Sequence, residues 1–263
     1  MATSLLQRAL GALELLANQP LGLTLKQVSD QLPMPKAGAQ RLLNELNHYG
    51  YVALNPHNDC YVLTTKLSAM ALRYQADKGI TDVAQPHLET LASQCGELVR
   101  LAVADESGLN FVAMAQGMRA GLRYDPSPFE PVPLYCTATA FAWLTAFDDQ
   151  EALDRIEAAG PLDTSLRGPN VPKKLSDIPP YLAQTRERGY CYVADMSSPG
   201  MAALAVPLYD KNGDRIIGSL VIGAPTARLG EAEINAYLEP LQATAKRLSE
   251  LSQLSEYLRH AKS

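Results

Sequence analysis

Residues 24–63 read TLKQVSDQLPMPKAGAQRLLNELNHYGYVALNPHNDCYVL, a pattern that predicts two short helices, a tight turn and a small hairpin. Thr24 stands where an N-cap belongs and Gln27 follows three residues later, so each side chain can satisfy an orphan backbone N–H of the first turn. Leu25, Val28 and Leu32 share one face, and Pro33 and Pro35 stop the run, Pro35 suiting the first turn of the next helix. That second helix, about Pro35 to His48, has Ala39, Leu42, Leu43 and Leu46 at spacings of three and four as its buried side. Lys36, Ala37, Gly38, Gln40, Arg41 and Asn44 are left toward solvent, a short, polar, lightly basic face. Gly50 can take the left-handed conformation that ends a helix, and Tyr51–Leu54 and Cys60–Leu63 are β-prone runs around the polar tip Asn55-Pro56-His57-Asn58-Asp59. The unit reads as a winged helix-turn-helix, whose second helix would enter the major groove of duplex DNA. Units of this shape also occur as plain helical packing and as protein-binding modules.

Upstream, Ser4 caps an amphipathic helix to Ala17 with Leu6, Ala9, Leu10, Leu13 and Leu16 as its apolar stripe, expected to pack across the other two helices. Leu23 is placed to pair with the hairpin. Downstream, Thr64 or Thr65 caps a helix with Leu67, Met70, Ala71 and Tyr74 on one face, ending near Lys78-Gly79. Its apolar stripe is either core against the first domain or a dimer seam. These readings divide the chain into a helix-turn-helix domain over 1–64, a linker helix over 65–79 and a second domain over 80–263.

The 263 residues exceed one typical domain, and 47% hydrophobic with 19% charged residues is ordinary for a soluble globular protein. No apolar run approaches the roughly 20 residues that span a bilayer, and no secretory leader pattern opens the sequence, so a cytoplasmic location is expected. Cys60, Cys95, Cys136 and Cys191 are widely spread without a CxxC pair, and His48, His57, His87 and His260 make no metal-ligand spacing with them. Free thiols and no metal or cofactor are expected. The net charge of −5 divides into +2 over residues 1–78 and −7 over the rest. So weak a positive balance argues that DNA would be held by a homodimer or homotetramer adding several footprints.

The second domain opens with a helix from Thr81-Asp82 to Gly96, with Val83, Leu88, Leu91 and Ala92 inward. Glu97–Ala104, a turn at Asp105-Glu106-Ser107-Gly108 and Leu109–Ala115 form a hairpin, with shorter extended pieces near Leu122–Tyr124 and Val132–Leu134. Cys136–Phe147 reads as an apolar helix buried against a sheet and capped by Thr137, and Asp148 caps the next helix, which ends at Gly160. Residues 161–175 are irregular, Ser176–Arg188 is helical, and strands follow at Tyr190–Ala194, Ala202–Leu208 and Arg215–Ile222. A long helix, Glu231–Tyr257, finishes a fold of class α+β with a mostly antiparallel sheet flanked by helices. There is no GxSxG, HExxH or phosphate loop, and Cys136 beside Thr137 has no histidine placed to serve it, so it reads as packing and no catalytic residue is expected.

Taken together, SLLQRALGALELL at 4–16, LTLKQVSDQLPMPKAGAQRLLNELNHYGYV at 23–52, LTTKL at 63–67, PLYCTATAFAWL at 133–144, RERGYCYVAD at 186–195, PGMAALAVPLYD at 199–210 and GSLVIGAP at 218–225 resemble the IclR family of bacterial transcription regulators. The resemblance implies a winged helix-turn-helix, a linker helix and a GAF-like domain that binds a small effector, assembled as dimers or tetramers on operator DNA. The family's usual Ser-Thr at the start of the recognition helix is Ala37-Gly38 here, its usual histidine before the buried helix is Tyr135, and the acidic pair after Asp195 is Met196-Ser197. DNA contacts are expected from Arg8, Thr24, Lys26, Lys36, Ala37, Gly38, Gln40, Arg41, Asn44, His57 and Asn58. Positions matching the family's effector pocket are Tyr124, Val132, Ala138, Thr139, Asp195, Met201, Ala203, Ser219, Val221 and Gly223. Arg119 and Arg123 precede a loop rich in proline and aromatic groups, and either is able to pair bidentately with an acid. The N-terminus of the apolar helix offers unpaired N–H groups to the same end. The implied effector is a small carboxylic acid, aromatic or keto in type; the alternative is a sensor whose helix-turn-helix mediates protein contacts.

Overall fold

The computed structural model describes residues 4–32, 34–70, 83–105, 108–118, 132–255 and 258. The chain falls into two compact units, Met1–Ile80 and Thr81–Ser263.

The first unit contains helices α1 (Leu5–Ala17), α2 (Leu25–Gln31) and α3 (Lys36–His48) and a three-stranded antiparallel sheet of β1 (Leu23–Thr24), β2 (Val52–Asn55) and β3 (Cys60–Leu63) in the order β1-β3-β2. The expected capping box closes α2: Gln27 N donates to Thr24 Oγ1 at 3.3 Å and Thr24 N donates to Gln27 Oε1 at 2.9 Å. Ala39, Leu42, Leu43 and Leu46 are buried as their spacing required, and Leu23 pairs with Tyr61. At the end of α3, Gly50 adopts φ +74°, which lets Tyr51 N reach Leu46 O and Gly50 N reach Asn47 O. That double bond satisfies two orphan carbonyls and turns the chain into the wing.

The stripe on α1 differs from expectation. Ala12 and Leu16 are buried with Ala9 and Leu13 packed beside them, whereas Leu6 and Leu10 join Leu5 on the outside. The helix is apolar on two faces, and the small Ala9 and Ala12 let it sit close to the core while the leucines are left over. Of the linker helix, residues 66–70 are helical with Met70 exposed, and 71–79 lie outside the described residues.

The second unit is a five-stranded antiparallel sheet in the order β5-β4-β8-β7-β6, built from β4 (Leu98–Asp105), β5 (Gly108–Gln116), β6 (Cys191–Ala194), β7 (Met201–Tyr209) and β8 (Ile216–Pro225). One face is covered by α4 (Gln85–Cys95) and α8 (Glu231–Glu250), the other by α5 (Ala138–Leu144) and α7 (Pro179–Arg188); α6 (Asp149–Ala158) lies between α5 and α7 in sequence. Coverage on both faces explains why β4 and β8 read as nearly continuous apolar runs. Along β4, Val99, Leu101 and Val103 face α4 and α8, while Ala102 and Ala104 face α5.

Several boundaries shift. α4 starts at Gln85 with Val83 exposed, not inward, and Thr81-Asp82 lie outside the described residues. α5 is seven residues, all buried, because Thr137 takes the cap and Ala146 and Phe147 fold back on Trp143 and Leu144 through tighter i−3 bonds. Val132–Leu134 is not a strand, and Leu122–Tyr124 and the turn residues Glu106-Ser107 lie outside the described residues. The tail helix stops at Glu250, with Leu251 as its cap, short of the expected Tyr257. All four cysteines are free, Cys60 half-buried and Cys95, Cys136 and Cys191 buried.

Candidate functional site

On the first unit, Lys36, Ala37, Arg41 and Asn44 are exposed on α3 and Gly38 and Gln40 are half-buried among them, one continuous polar face. Ala37-Gly38 leaves the start of the helix without hydroxyls, and Pro35 caps it with no side-chain bond. Gln40 is tied down: its Nε2 donates to Asn44 Oδ1 at 3.0 Å and to Tyr61 Oη of β3 at 2.8 Å. Lys26 is exposed on α2, and Thr24 is occupied by its capping box. At the wing tip His57 and Asn58 are exposed, in a turn shaped by Asn55 Oδ1 accepting from His57 N and Asn58 Oδ1 accepting from Cys60 N, with Asp59 left-handed at φ +52°. Arg8 is half-buried and its Nε is enclosed without a hydrogen-bond partner among the described residues.

On the second unit a cavity of about 120 Å³ opens between the sheet and the start of α5. The register of three strands makes its floor: Leu98, Gly223 and Ala203 form one row across β4, β8 and β7, and Arg100 and Val221 lead the next. Thr137, Ala138 and Thr139 close it from α5, Met201 from β7, and Ser197 and Ser198 from the turn before β7. Ala138, Thr139, Met201, Ala203, Val221 and Gly223 were all anticipated as pocket positions. Arg123, Tyr124 and Arg119 lie outside the described residues.

Three expected positions stand behind the wall. Val132 is core. Ser219 is fully buried and donates to Thr139 O at 2.9 Å, pinning α5 to β8. Asp195 closes the β6–β7 turn: it is left-handed at φ +53°, and its carboxylate accepts from Gly200 N at 2.6 Å. The same turn holds the loop that carries Arg167, since Gly168 N donates to Met196 O and Asn170 N to Asp195 O, both at 2.9 Å. Only glycine fits at 168, where a Cβ would lie 2.1 Å from Asp195 O.

Two arginines line the cavity that the sequence reading passed over. Arg100 is 7% exposed and its guanidinium stacks 3.3 Å above the centroid of Phe111, another lining residue. A bulge brings them together: Leu101 pairs with Ala113 but Ala102 pairs with Phe111, so Val112 is extra and Phe111 is turned to the face of Arg100. Arg167 donates through Nε to Tyr135 Oη at 3.3 Å. Burial works against its charge, but Tyr135, Cys136 and Asp163 outweigh that and raise its pKa. The signal was in ELVRLAVA, where strand alternation sets Arg100 on the face of Leu98 and Ala102 as the one charge inside an apolar strand.

The N–H of Ala140 is taken by Thr137 Oγ1 at 3.1 Å, so the short α5 presents less of an anion site than expected and the arginines supply the positive charge. Burial pushes the Cys136 thiol up to about 11, with Arg167 and Tyr135 pulling the other way, which leaves it neutral and unreactive at physiological pH. Among the described residues no cluster of His, Cys, Asp or Glu is placed to hold a metal ion, and no helix is long and apolar enough to cross a membrane.

The family descriptions "IclR helix-turn-helix domain" and "Bacterial transcriptional regulator IclR C-terminal" match residues 5–56 and 73–250. The DNA-binding transcriptional repressor YiaJ of Escherichia coli is 28% identical over 242 residues, spanning 92% of this chain and 85% of that one. The Pca regulon regulatory protein of Pseudomonas putida is 24% identical over 92% of this chain and 81% of its own length. In fold, the chain resembles a putative IclR transcriptional regulator from Silicibacter sp. TM1040 with a TM-score of 0.77 at 23% identity, covering 94% and 95% of the two chains, and Thermotoga maritima IclR with 0.67 at 21%, covering 93% and 96%. The helix-turn-helix implies a DNA partner, the second domain an effector, and the function is regulatory rather than enzymatic. The chain belongs to the IclR family of bacterial transcriptional regulators.

Proposed function

We propose that this regulator binds operator DNA in the cytoplasm as a homodimer or homotetramer, with α3 in the major groove, and responds to a small carboxylic acid of aromatic or keto type held against Arg100. The observation that carries the ligand class is the buried Arg100 guanidinium, stacked on Phe111 at the floor of a small cavity with Arg167 on its wall. A guanidinium fork matches a carboxylate bidentately, and an aromatic floor suits a planar acid. At about 120 Å³ the cavity is far below the roughly 300–1,000 Å³ typical of drug-sized ligands, which favours a compact metabolite. Ser197, Ser198, Thr137 and Thr139 add hydroxyls around an otherwise apolar lining. Self-association is supported by the leucines on the outer face of α1, Leu5 at 64%, Leu6 at 68% and Leu10 at 50% exposed, and by the +2 charge of residues 1–78.

The pocket is tested by isothermal titration of the full chain against aromatic and keto acids, each paired with its amide. Heat from a carboxylate and none from its amide is expected. Heat from no acid in the panel removes the carboxylate reading.

A further inference from the structure

We infer that the effector is a short dicarboxylic acid whose second carboxylate is taken by Arg167, which makes Arg167 the residue that separates diacids from monoacids. The inference rests on the reading that Arg100 holds the first carboxylate.

Arg167 belongs to the loop between α6 and α7 and Arg100 to β4, yet both line the one small cavity. Among the described residues that lining holds no aspartate or glutamate, so the two guanidinium groups are its only charged side chains. Each is steadied by its own aromatic partner. Arg100 stacks on Phe111, fixed to the sheet. Arg167 is oriented by Tyr135, through a chain whose direction admits no reversal. The single proton of the Tyr135 hydroxyl goes to Asp163 O at 2.5 Å, a backbone carbonyl that only accepts. The hydroxyl oxygen then accepts from Arg167 Nε at 3.3 Å, because a guanidinium only donates. Tyr135 is 8% exposed, and the backbone beyond Arg167 is held by Gly168 N on Met196 O and Asn170 N on Asp195 O. With Nε spent, Arg167 keeps its two terminal nitrogens, a fork that fits a carboxylate. No carboxylate of the described residues lies at ion-pair distance from it; that of Asp163 is turned to Ser165, accepting from its N at 3.0 Å and its Oγ at 2.6 Å. Nor does Thr137 offer a donor in its place, since its hydroxyl is given to Pro133 O at 3.0 Å. Because the two arginines are braced on different elements, neither is free to swing onto the other's carboxylate, and a monoacid leaves Arg167 without a counter-charge in the cavity. The volume of about 120 Å³ keeps the diacid short. Tyr135 is a positioning residue, acting through Arg167.

The test is isothermal titration of the full chain with succinate, acetonedicarboxylate and isophthalate, each beside its monoamide, and with the monoacids pyruvate and benzoate. At least one diacid should bind about tenfold more tightly than its own monoamide, well beyond the statistical gain from two equivalent ends. In Arg167→Gln that ratio should fall to near one. Tyr135→Phe keeps the ring and removes the hydroxyl that orients Arg167, so the ratio should drop to about threefold; a general loosening of the pocket would weaken diacid and monoamide alike and leave the ratio where it was. The inference is overturned if no diacid binds better than its monoamide, or if the preference survives Arg167→Gln. Should Arg167→Gln fail to fold by circular dichroism, the paired ligands with unaltered protein decide alone. Heat from pyruvate or benzoate with none from any diacid overturns the inference and leaves the carboxylate reading of Arg100 standing, whereas heat from no acid overturns both.

Discussion

The polar face of α3 and the cavity of the second unit hold their chemistry in opposite ways. On α3 the groups are open to water and steadied by one another, Gln40 against Asn44 and Tyr61. In the cavity the charge of Arg100 is withdrawn from water, stacked on Phe111 in the middle of a strand. Solvent screening makes each exposed contact weak, so in the proposed function recognition by α3 is shared among several side chains and more than one copy of the chain. Burial makes each contact in the second unit strong, so one residue decides the outcome.

Substitutions rank along that contrast. The largest effect is expected at the Glu97–Arg228 pair, where Glu97 is 2% exposed and accepts from Arg228 Nε at 2.7 Å and Nη2 at 2.9 Å. Glu97→Ala leaves a charge behind and should cost about 3–5 kcal/mol in urea unfolding of the second unit. The exposed Arg247–Glu250 pair on α8, treated the same way, should change stability by less than about 0.5 kcal/mol. Equal effects at the two would erase the contrast.

Next comes Arg100→Leu, which should weaken a bound carboxylate by about 2–5 kcal/mol in calorimetry, because truncating one side of a buried charge pair strands the other. Arg41→Ala on α3 should reduce operator affinity by about 1–3 kcal/mol if it contacts a base edge, with thermal stability unchanged. The smallest effect is with pH. Burial pushes the carboxyl of Asp210 up, but the backbone N–H groups of Asp214 and Arg215 and the Arg215 guanidinium outweigh it and hold its pKa below the ordinary 3.8. A depressed folded value stabilises above pH 3.8, and the contribution is lost as pH falls through the folded value. Asp210→Asn should therefore lower stability slightly at neutral pH, flatten the acid limb of the stability curve, and make little difference once pH has fallen below the folded value.

The same contrast explains what could be read in advance. The polar face of α3 belongs to one helix, and a spacing of three and four separated it from the buried side without reference to anything distant. The capping box and Gly50 were legible for the same local reason. The cavity is assembled from β4, β5, α5, the loop at Arg167, the turn at Ser197 and β7–β8, a convergence set by sheet register. Family motifs carried Ala138, Thr139, Met201, Ala203 and Val221 to it, but a motif does not separate a wall residue from its support, and so Ser219 and Asp195 were grouped with the lining. Phe111 was out of reach, since its direction depends on one extra residue in β5. On α1, periodicity placed Ala9, Leu13 and Leu16 on the core side, where they lie, but took Leu6 and Leu10 with them and missed Ala12.

The coupling of the two units is measured by fluorescence anisotropy of a labelled operator duplex, titrated with full-length protein at fixed salt, with and without the acid identified by calorimetry. Operator Kd should move at least severalfold with the acid in the unaltered protein and stay constant in Arg100→Leu. The same Kd with and without saturating acid in the unaltered protein would show that the cavity does not govern DNA binding.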